Sequence, residues 1–505
     1  MKKLVVLTVI CQWSLIGFSQ SEEDAMKYAE TITRDDLYDK ISILASDALE
    51  GRETGERGQK MAAAFISDHF RRQGLEPPVK NGATYSYYQP VPLYSAVPGE
   101  IYLTVGDERF ENFDKVAYYG TFNTKGKQEI EAVFVGKGSE DELSKVNVEN
   151  KAAIIMVDNP RGWRAPHQLA KENGALLSLI ITHGTDDEFA GYSQMLKGYL
   201  SGGRLSLEKP ENKNADRGLF MISPSVAARI VNSKVEDLKK AVENGNPKKI
   251  KKGKFTYNLE QKRIDVSSEN VLGYLEGSDL KDELIVLTAH YDHIGRDGDK
   301  INNGADDDAS GTSAIMEIAE AFVKAKQDGK GPRRSILFMA VTGEEKGLLG
   351  SAHYTSNPVF PLENTVVNLN IDMIGRIDAQ HKDNQNYVYL VGSDRLSSEL
   401  HEISEKVNAT YTKFELDYTY NDEDHPDRIY YRSDHWNFAK NNIPIIFYFN
   451  GVHDDYHQPT DTIDKIEFDL LTRRSKLVYY TAWVLANRND RLVVDKLQDQ
   501  NIGNN

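Results

Sequence analysis

The stretch Leu284–Phe322, LIVLTAHYDHIGRDGDKINNGADDDASGTSAIMEIAEAF, decides the fold. It opens on an unbroken run, LIVLTA (284–289), of the kind a strand buried on both faces requires. It closes on the start of a helix, SAIMEIAEAFVKA, whose Ile315, Ile318, Ala319 and Phe322 fall on one side. Between strand and helix lie His290, Asp292 and three adjacent aspartates, Asp306, Asp307 and Asp308, hemmed in by Gly304, Ala305, Ala309, Ser310 and Gly311. Adjacent carboxylates repel, and small neighbours bury too little apolar area to offset that cost. The cluster is therefore either a solvated turn or a place where cations remove the repulsion.

Downstream, the runs SILFMAV (335–341), VVNLNI (366–371), NYVYLV (386–391) and PIIFYF (444–449) alternate with helical patterns. This predicts an α/β fold, a mostly parallel sheet covered by helices. Ligands of such sheets sit beyond the carboxyl ends of the strands. After the first run come His290 and Asp292, and after the second Glu344 and Glu345. After the third comes Asp372, and after PIIFYF a loop carrying His453, Tyr456 and His457. Four strands delivering imidazole or carboxylate to one rim are hard to explain structurally. The mixture suits zinc, with manganese and cobalt as rivals. Two histidines and three carboxylates exceed one tetrahedral ion and fit two ions if one carboxylate bridges.

Upstream, ERGQKMAAAFISDHFRRQG (Glu56–Gly74) predicts a helix with Met61, Ala62, Phe65, Ile66 and Phe70 on its buried face and Gly74 as its stop. Residues 96–262 have another texture: short β-rich runs (IEAVFVG, AAIIMVD, LLSLIITHG, GLFMISP) joined by Lys/Glu-rich loops. They predict an inserted β-rich domain, 96–262, between the parts 21–95 and 263–505 of the main one. Residues 1–20 predict an export signal: Lys2 and Lys3, an apolar stretch, then a polar exit. The expected location is secreted or periplasmic, with no membrane span after signal removal. Cys11, the only cysteine, lacks the small residues that precede a lipidated one, and without it no disulfide is available.

The chain has 505 residues and a net charge of -16, which argues against a general nucleic-acid binder. It contains no His-Glu-x-x-His, no Gly-x-Ser-x-Gly, no phosphate-binding Gly-Lys-Ser/Thr loop and no Cys-x-x-Cys.

In their order, TAHYDH, NNGADDDASG, TGEEKGLLGS, NIDMIGR and DYHQPTDT resemble the M28 family of co-catalytic zinc peptidases, whose larger members carry an inserted protease-associated domain. LASDALEGRETGERGQKMAAAFI resembles the lead-in of those larger members. The resemblance implies a zinc exopeptidase fold, phosphorylase/hydrolase-like, with a protease-associated (PA-like) insert. It also implies two Zn2+ per chain and peptide substrates. Asp307 is then the bridging ligand. His290 and Asp372 complete one zinc, and Glu345 and His457 the other. Glu344 is the general base that takes a proton from water and returns it to the leaving amine. Asp292 is the carboxylate that orients the His290 imidazole. Tyr456 matches a tyrosine that in some relatives stabilises the oxyanion. His293, His353, His435 and His453 have no ligand role in the pattern. The implied activity is a metallopeptidase, an aminopeptidase releasing N-terminal residues. The alternatives are a dipeptidase or carboxypeptidase of the same family, a transferase of the glutaminyl-cyclase kind working with one zinc, and a non-catalytic peptidase-like binding protein. Arg376 and Arg432 are both available, from sequence, to receive a substrate carboxylate.

Overall fold

The computed structural model describes residues 22–200, 203–209, 217–422 and 425–496. The export-signal reading of residues 1–20 lies outside them. The chain divides into two compact units, one formed by Met1–Pro92 and Ser267–Asn505, the other by Leu93–Val266.

The first unit is built on an eight-stranded sheet. Its strands are β1 (Tyr88–Pro98), β2 (Gln261–Leu275), β3 (Leu280–His290), β4 (Arg334–Val341), β5 (Thr365–Ile371), β6 (Tyr387–Val391), β7 (Glu415–Asp417) and β8 (Ile445–Phe449). They lie in the order β7-β6-β8-β5-β3-β4-β2-β1. The four central strands, β4, β3, β5 and β8, run parallel. Antiparallel pairing begins only outside them, at β2 and β6. β3 is hydrogen-bonded on both edges and buried on both faces, which explains its unbroken run. Ile285, Leu287 and Ala289 enter the core on one face, and Leu284 and Val286 enter the core on the other, with the period of two a strand imposes.

The helices that matter to the site are α1 (Arg34–Leu44), α2 (Arg57–Gln73), α3 (Gly311–Gln327), α4 (Leu349–Ser356) and α5 (Phe468–Asn487). α2 stops where Gly74 turns left-handed at φ 88° and its N–H returns to the helix. Ala62, Ile66 and Phe70 are buried as expected, whereas Met61 is exposed, because Ala63 takes the inward position beside Ala62. α3 is buried almost all round, with Phe322 packed 5.1 Å from Tyr479 and 5.7 Å from Trp483 of α5.

The second unit has its own eight-stranded sheet and a core on each face. Four of its strands, Gln128–Phe134, Ala152–Met156, Leu177–Ile181 and Leu219–Ile222, are parallel. Parallel neighbours need crossovers, and helices Glu140–Ser144, Arg164–Glu172 and Asp186–Leu200 supply them. Those helices fall where the sequence reads as polar loop.

Candidate metal centre

β3 delivers His290 to the rim fully buried. Its Nε2 lies 3.1 Å from Asp307 Oδ1 and 3.4 Å from Asp372 Oδ1. Its Nδ1 lies 3.0 Å from the main-chain oxygen of Asp292. With Nδ1 donating there, Nε2 turns a lone pair toward two carboxylate oxygens, an arrangement that demands a proton or a cation between them. Here one expectation is corrected. The Asp292 carboxylate does not orient His290; its carbonyl does, because the turn after β3 points the side chain elsewhere. Asp292 Oδ2 accepts from Thr54 Oγ1 at 2.6 Å and Oδ1 accepts from the Glu344 N–H at 3.3 Å.

Asp307 faces two ways. While Oδ1 looks to His290, Oδ2 lies 3.2 Å from His457 Nε2 and 3.7 Å from His293 Nδ1. Glu345 completes this second group: Oε2 is 3.1 Å from His457 Nε2, and Oε1 is 2.7 Å from His293 Nδ1. Two clusters of metal-ligand type result, His290–Asp307–Asp372 and His293–Asp307–Glu345, sharing Asp307. All five expected ligands therefore converge. His293, given no role by the sequence pattern, stands among them. The signal for it was the spacing in HYDH, which returns a second imidazole to the rim three residues after the first.

The donor set fits a divalent cation on an observation of this site. Asp307 Oδ2, Glu345 Oε1, His457 Nε2 and both ring nitrogens of His293 are buried and, close as they stand to one another, none is in hydrogen-bond geometry with any described residue. Native structures seldom leave such atoms unmet unless something else meets them. Electrostatics agree. Burial alone would lower His457, yet Asp307 and Glu345 raise it to about 10. Burial and Asp307 push Glu345 up, and contact with His293 and His457 overcomes them and brings it to about 2. The protein has gathered carboxylates that stay ionised around imidazoles that attract a positive charge.

The other two aspartates of the triplet are occupied differently. Asp306 Oδ1 accepts the Gly375 N–H at 2.6 Å, and its Oδ2 is 3.1 Å from His453 Nε2. Asp308 accepts N–H groups of His290, Gly311 and Met373. Two of the small neighbours are steric necessities: a Cβ on Gly304, at φ +57°, would lie 2.1 Å from the Asp307 carbonyl, and one on Gly311 would lie 2.5 Å from Asp308 Oδ1.

Glu344 and Glu345 diverge after β4. Glu344 opens onto a cleft lined also by His290, Asp307 and Asp372, with Oε2 3.9 Å from His290 Nε2. Burial, reinforced by Glu345, Asp372 and Asp434 against the opposing pull of His290, holds its carboxyl well above the ordinary range. Tyr456 lines the same cleft, stacked on His457 at 3.9 Å, and burial among carboxylates pushes its phenol up so that it stays protonated. Met373, Ile429, Phe447, Phe449 and Val452 make an apolar wall. Arg376 is taken up by Asp455 at 2.8 Å and Asp461 at 3.7 Å. Arg432 lines the cleft, and no carboxylate pairs with it among the described residues. His435 is structural: buried, its Nε2 2.7 Å from the Tyr430 carbonyl, and lowered by burial to about 3.

Residues 270–482 match the model of peptidase family M28. Over 111 residues the chain is 34% identical to Aminopeptidase YwaD of Bacillus subtilis, covering 22% of each protein. Over 268 residues it is 29% identical to a probable zinc metalloprotease of Pyrenophora tritici-repentis, covering 44% of this chain and 52% of that one. The chain thus spans about half, or less, of the length of these curated relatives. The aminopeptidase from Aneurinibacillus sp. strain AM-1 has a similar fold, with a TM-score of 0.56 at 19% identity over 94% of this chain and 98% of that one. The family match runs from β2 through α5 and so takes in every strand end that delivers a residue to either cluster; it is this part of the chain, residues 270–482, that is similar to peptidase family M28.

Proposed function

We infer that this chain is a zinc-dependent exopeptidase with two ions per molecule, and that it removes N-terminal residues from peptides. The observation that carries this is Asp307, whose two oxygens face two separate imidazole–carboxylate clusters beside a cleft that holds Glu344. His290, Asp307 and Asp372 would hold one ion; Glu345, Asp307 and His457, with His293 alongside, would hold the other. Bound zinc supplies Lewis acidity and brings the pKa of water toward neutrality. The remaining chemistry belongs to the chain. Glu344 Oε2 accepts the proton of the attacking water and returns it to the leaving amine, a task suited by its raised proton affinity. Tyr456 stays protonated and offers its O–H to the developing oxyanion. The wall of Met373, Ile429, Phe447, Phe449 and Val452 receives an apolar side chain.

A second reading, a dipeptidase or carboxypeptidase, is favoured by one observation. Arg432 stands in the cleft without a carboxylate partner among the described residues, where it meets the free carboxylate of a short substrate. The unit Leu93–Val266 carries none of the assigned ligands, and we read it as a protease-associated insert governing access. Export directed by residues 1–20 completes the proposal. Among the described residues no helix is long and apolar enough to cross a membrane. A peptide-library digest read by mass spectrometry tests the function. Loss of single N-terminal residues, apolar ones preferred, supports the aminopeptidase. Loss of C-terminal residues, or cleavage of dipeptides alone, replaces it with the second reading, and no cleavage by metal-replete protein refutes both.

A further inference from the structure

The lead-in segment LEGRET (Leu49–Thr54) contributes no ligand to either cluster, yet it is bound to the loops that do. Arg52 has no solvent exposure. Its Nε donates to the Tyr291 carbonyl at 2.9 Å, and Nη1 donates to the carbonyls of Leu44 and, at 2.6 Å, Asn303. Nη2 donates to the carbonyls of Gly304 at 3.0 Å and Asp307 at 3.4 Å. A guanidinium has five N–H donors in a fixed fork, and here they serve five main-chain acceptors. One acceptor lies between His290 and His293. Three lie on the loop that ends in Asp307. The last is the closing carbonyl of α1, where a cation also meets the negative end of the helix.

The backbone repeats the connection. Arg52 O accepts the His293 N–H at 3.1 Å, and Gly51 O accepts the Gly295 N–H at 2.9 Å. Gly51 sits at φ +69°, where a Cβ would lie 2.3 Å from the Gly295 carbonyl and 2.6 Å from that of Asn302, so only glycine allows this approach. Thr54 Oγ1 holds Asp292 Oδ2 at 2.6 Å, on the residue whose carbonyl orients His290.

We propose that Leu49–Thr54 is a strap and that Arg52 is a positioning residue, fixing the loop of His290 and His293 against the loop of Asp307 and so setting the separation of the two clusters. Lysine keeps the charge but, with a single nitrogen, cannot reach five carbonyls spread over three segments. The proposal rests on the two-ion reading above. It is tested on the full chain, stripped of metal by a chelator, dialysed and titrated with Co2+ alone well below the melting temperature. Calorimetry gives affinity, and the visible absorption of bound cobalt reports ligand geometry. Arg52→Lys is expected to bind cobalt about 10–100-fold more weakly, the usual effect of disturbing the groups behind metal ligands, with an altered spectrum. Thr54→Val is expected to shift both readouts in the same direction by less. Leu477→Ala, in α5 and fully buried, lowers melting through lost packing and is expected to leave cobalt affinity unchanged. Folded Arg52→Lys with the affinity and spectrum of the parent overturns the proposal and leaves the two-ion reading standing. Should Arg52→Lys not fold, Thr54→Val decides, and an unchanged affinity and spectrum overturn the strap. A parent chain that binds no cobalt removes the two-ion reading itself, and the strap with it.

Discussion

Glu344→Gln and Glu345→Gln together test the division of labour at the rim. The two residues are neighbours after β4, yet their carboxyls meet different partners. Glu345 lies 2.7 Å from His293 and 3.1 Å from His457, so on the proposed reading its negative charge faces a cation. Glu344 is 3.9 Å from the nearest imidazole nitrogen and faces the cleft. Glutamine preserves the volume of either side chain and removes its charge and basicity. At position 344, turnover should fall about 10²–10⁴-fold, which corresponds to roughly 3–5 kcal/mol of barrier. Metal content should stay at the parental level. Stability without metal should change little, because burial and the carboxylates of Glu345, Asp372 and Asp434 already favour the uncharged form of Glu344, which glutamine keeps. At position 345 the order reverses: one ion is lost on dialysis, and the loss of turnover follows metal occupancy. The assay is hydrolysis of an apolar amino-acid anilide alongside elemental analysis of the same preparation. Parental turnover in Glu344→Gln, or metal loss in that variant with full metal in Glu345→Gln, would refute the assignment of base and ligand.

Three further outcomes are expected. A strong chelator should abolish turnover and lower the melting temperature, since ions held only by the folded chain stabilise it by RT ln(1 + [L]/Kd); unchanged melting and activity after verified metal removal count against the centre. Arg432→Met should slow cleavage of dipeptides with a free carboxyl end at least about tenfold while sparing their amides, if the cation meets a carboxylate in a charge-assisted pair; equal effects on acid and amide remove Arg432 from substrate recognition. Glu317 is raised by burial to about 7, against the pull of Lys40 at its carboxyl. Since the folded value lies above the unfolded one, the favourable contribution is complete below about pH 4.5 and is lost as pH rises through about 7. The stability of the parent relative to Glu317→Gln should therefore decline across that window, by about 3 kcal/mol at most, and a flat difference in urea titrations would contradict it.

The parallel core of the main sheet was legible because its strands are buried on both faces. LIVLTA, SILFMAV and VVNLNI need no partner to be recognised, and each announces its carboxyl end with a residue that does not belong in a core. That geometry brings the loops to one rim; the choice of His290, Asp307, Glu345, Asp372 and His457 among the rim residues came from the resemblance to M28 motifs, and the structure places these five together. What escaped depends on orientation rather than composition. Whether Asp292 presents its carboxylate or its carbonyl to His290 is set by the turn after β3, which no periodicity encodes. His293 looked like one rim histidine among several, until the same turn brought it to Glu345. In the second unit, two of the helices between parallel strands, Glu140–Ser144 and Arg164–Glu172, are short and charged, so their apolar faces are too narrow to stand out. Arg52 was invisible as a site residue for a related reason: its partners are carbonyls, and carbonyls leave no trace in a sequence.

The same distinction explains why a chain tolerates Asp306, Asp307 and Asp308 in a row. A carboxylate on two or three backbone N–H groups is compensated locally, by dipoles that are themselves satisfied in return. Asp308 collects N–H groups from the end of β3, the start of α3 and the residue after Asp372, so it joins three elements of the rim at one point. Asp306 joins the loop after Asp372 to His453, and Asp461 caps the triplet from outside by accepting the N–H groups of Asp306 and Asp307. These carboxylates hold the loop in shape without any ion. Only Asp307 is left with an oxygen that meets no donor among the described residues, and it is the one aimed at both clusters. The triplet is therefore two carboxyl groups that hold backbone, flanking one that stays open to both clusters. The flanking pair fix the backbone through N–H groups, and in the proposed two-ion site that backbone leaves the middle residue facing the cations.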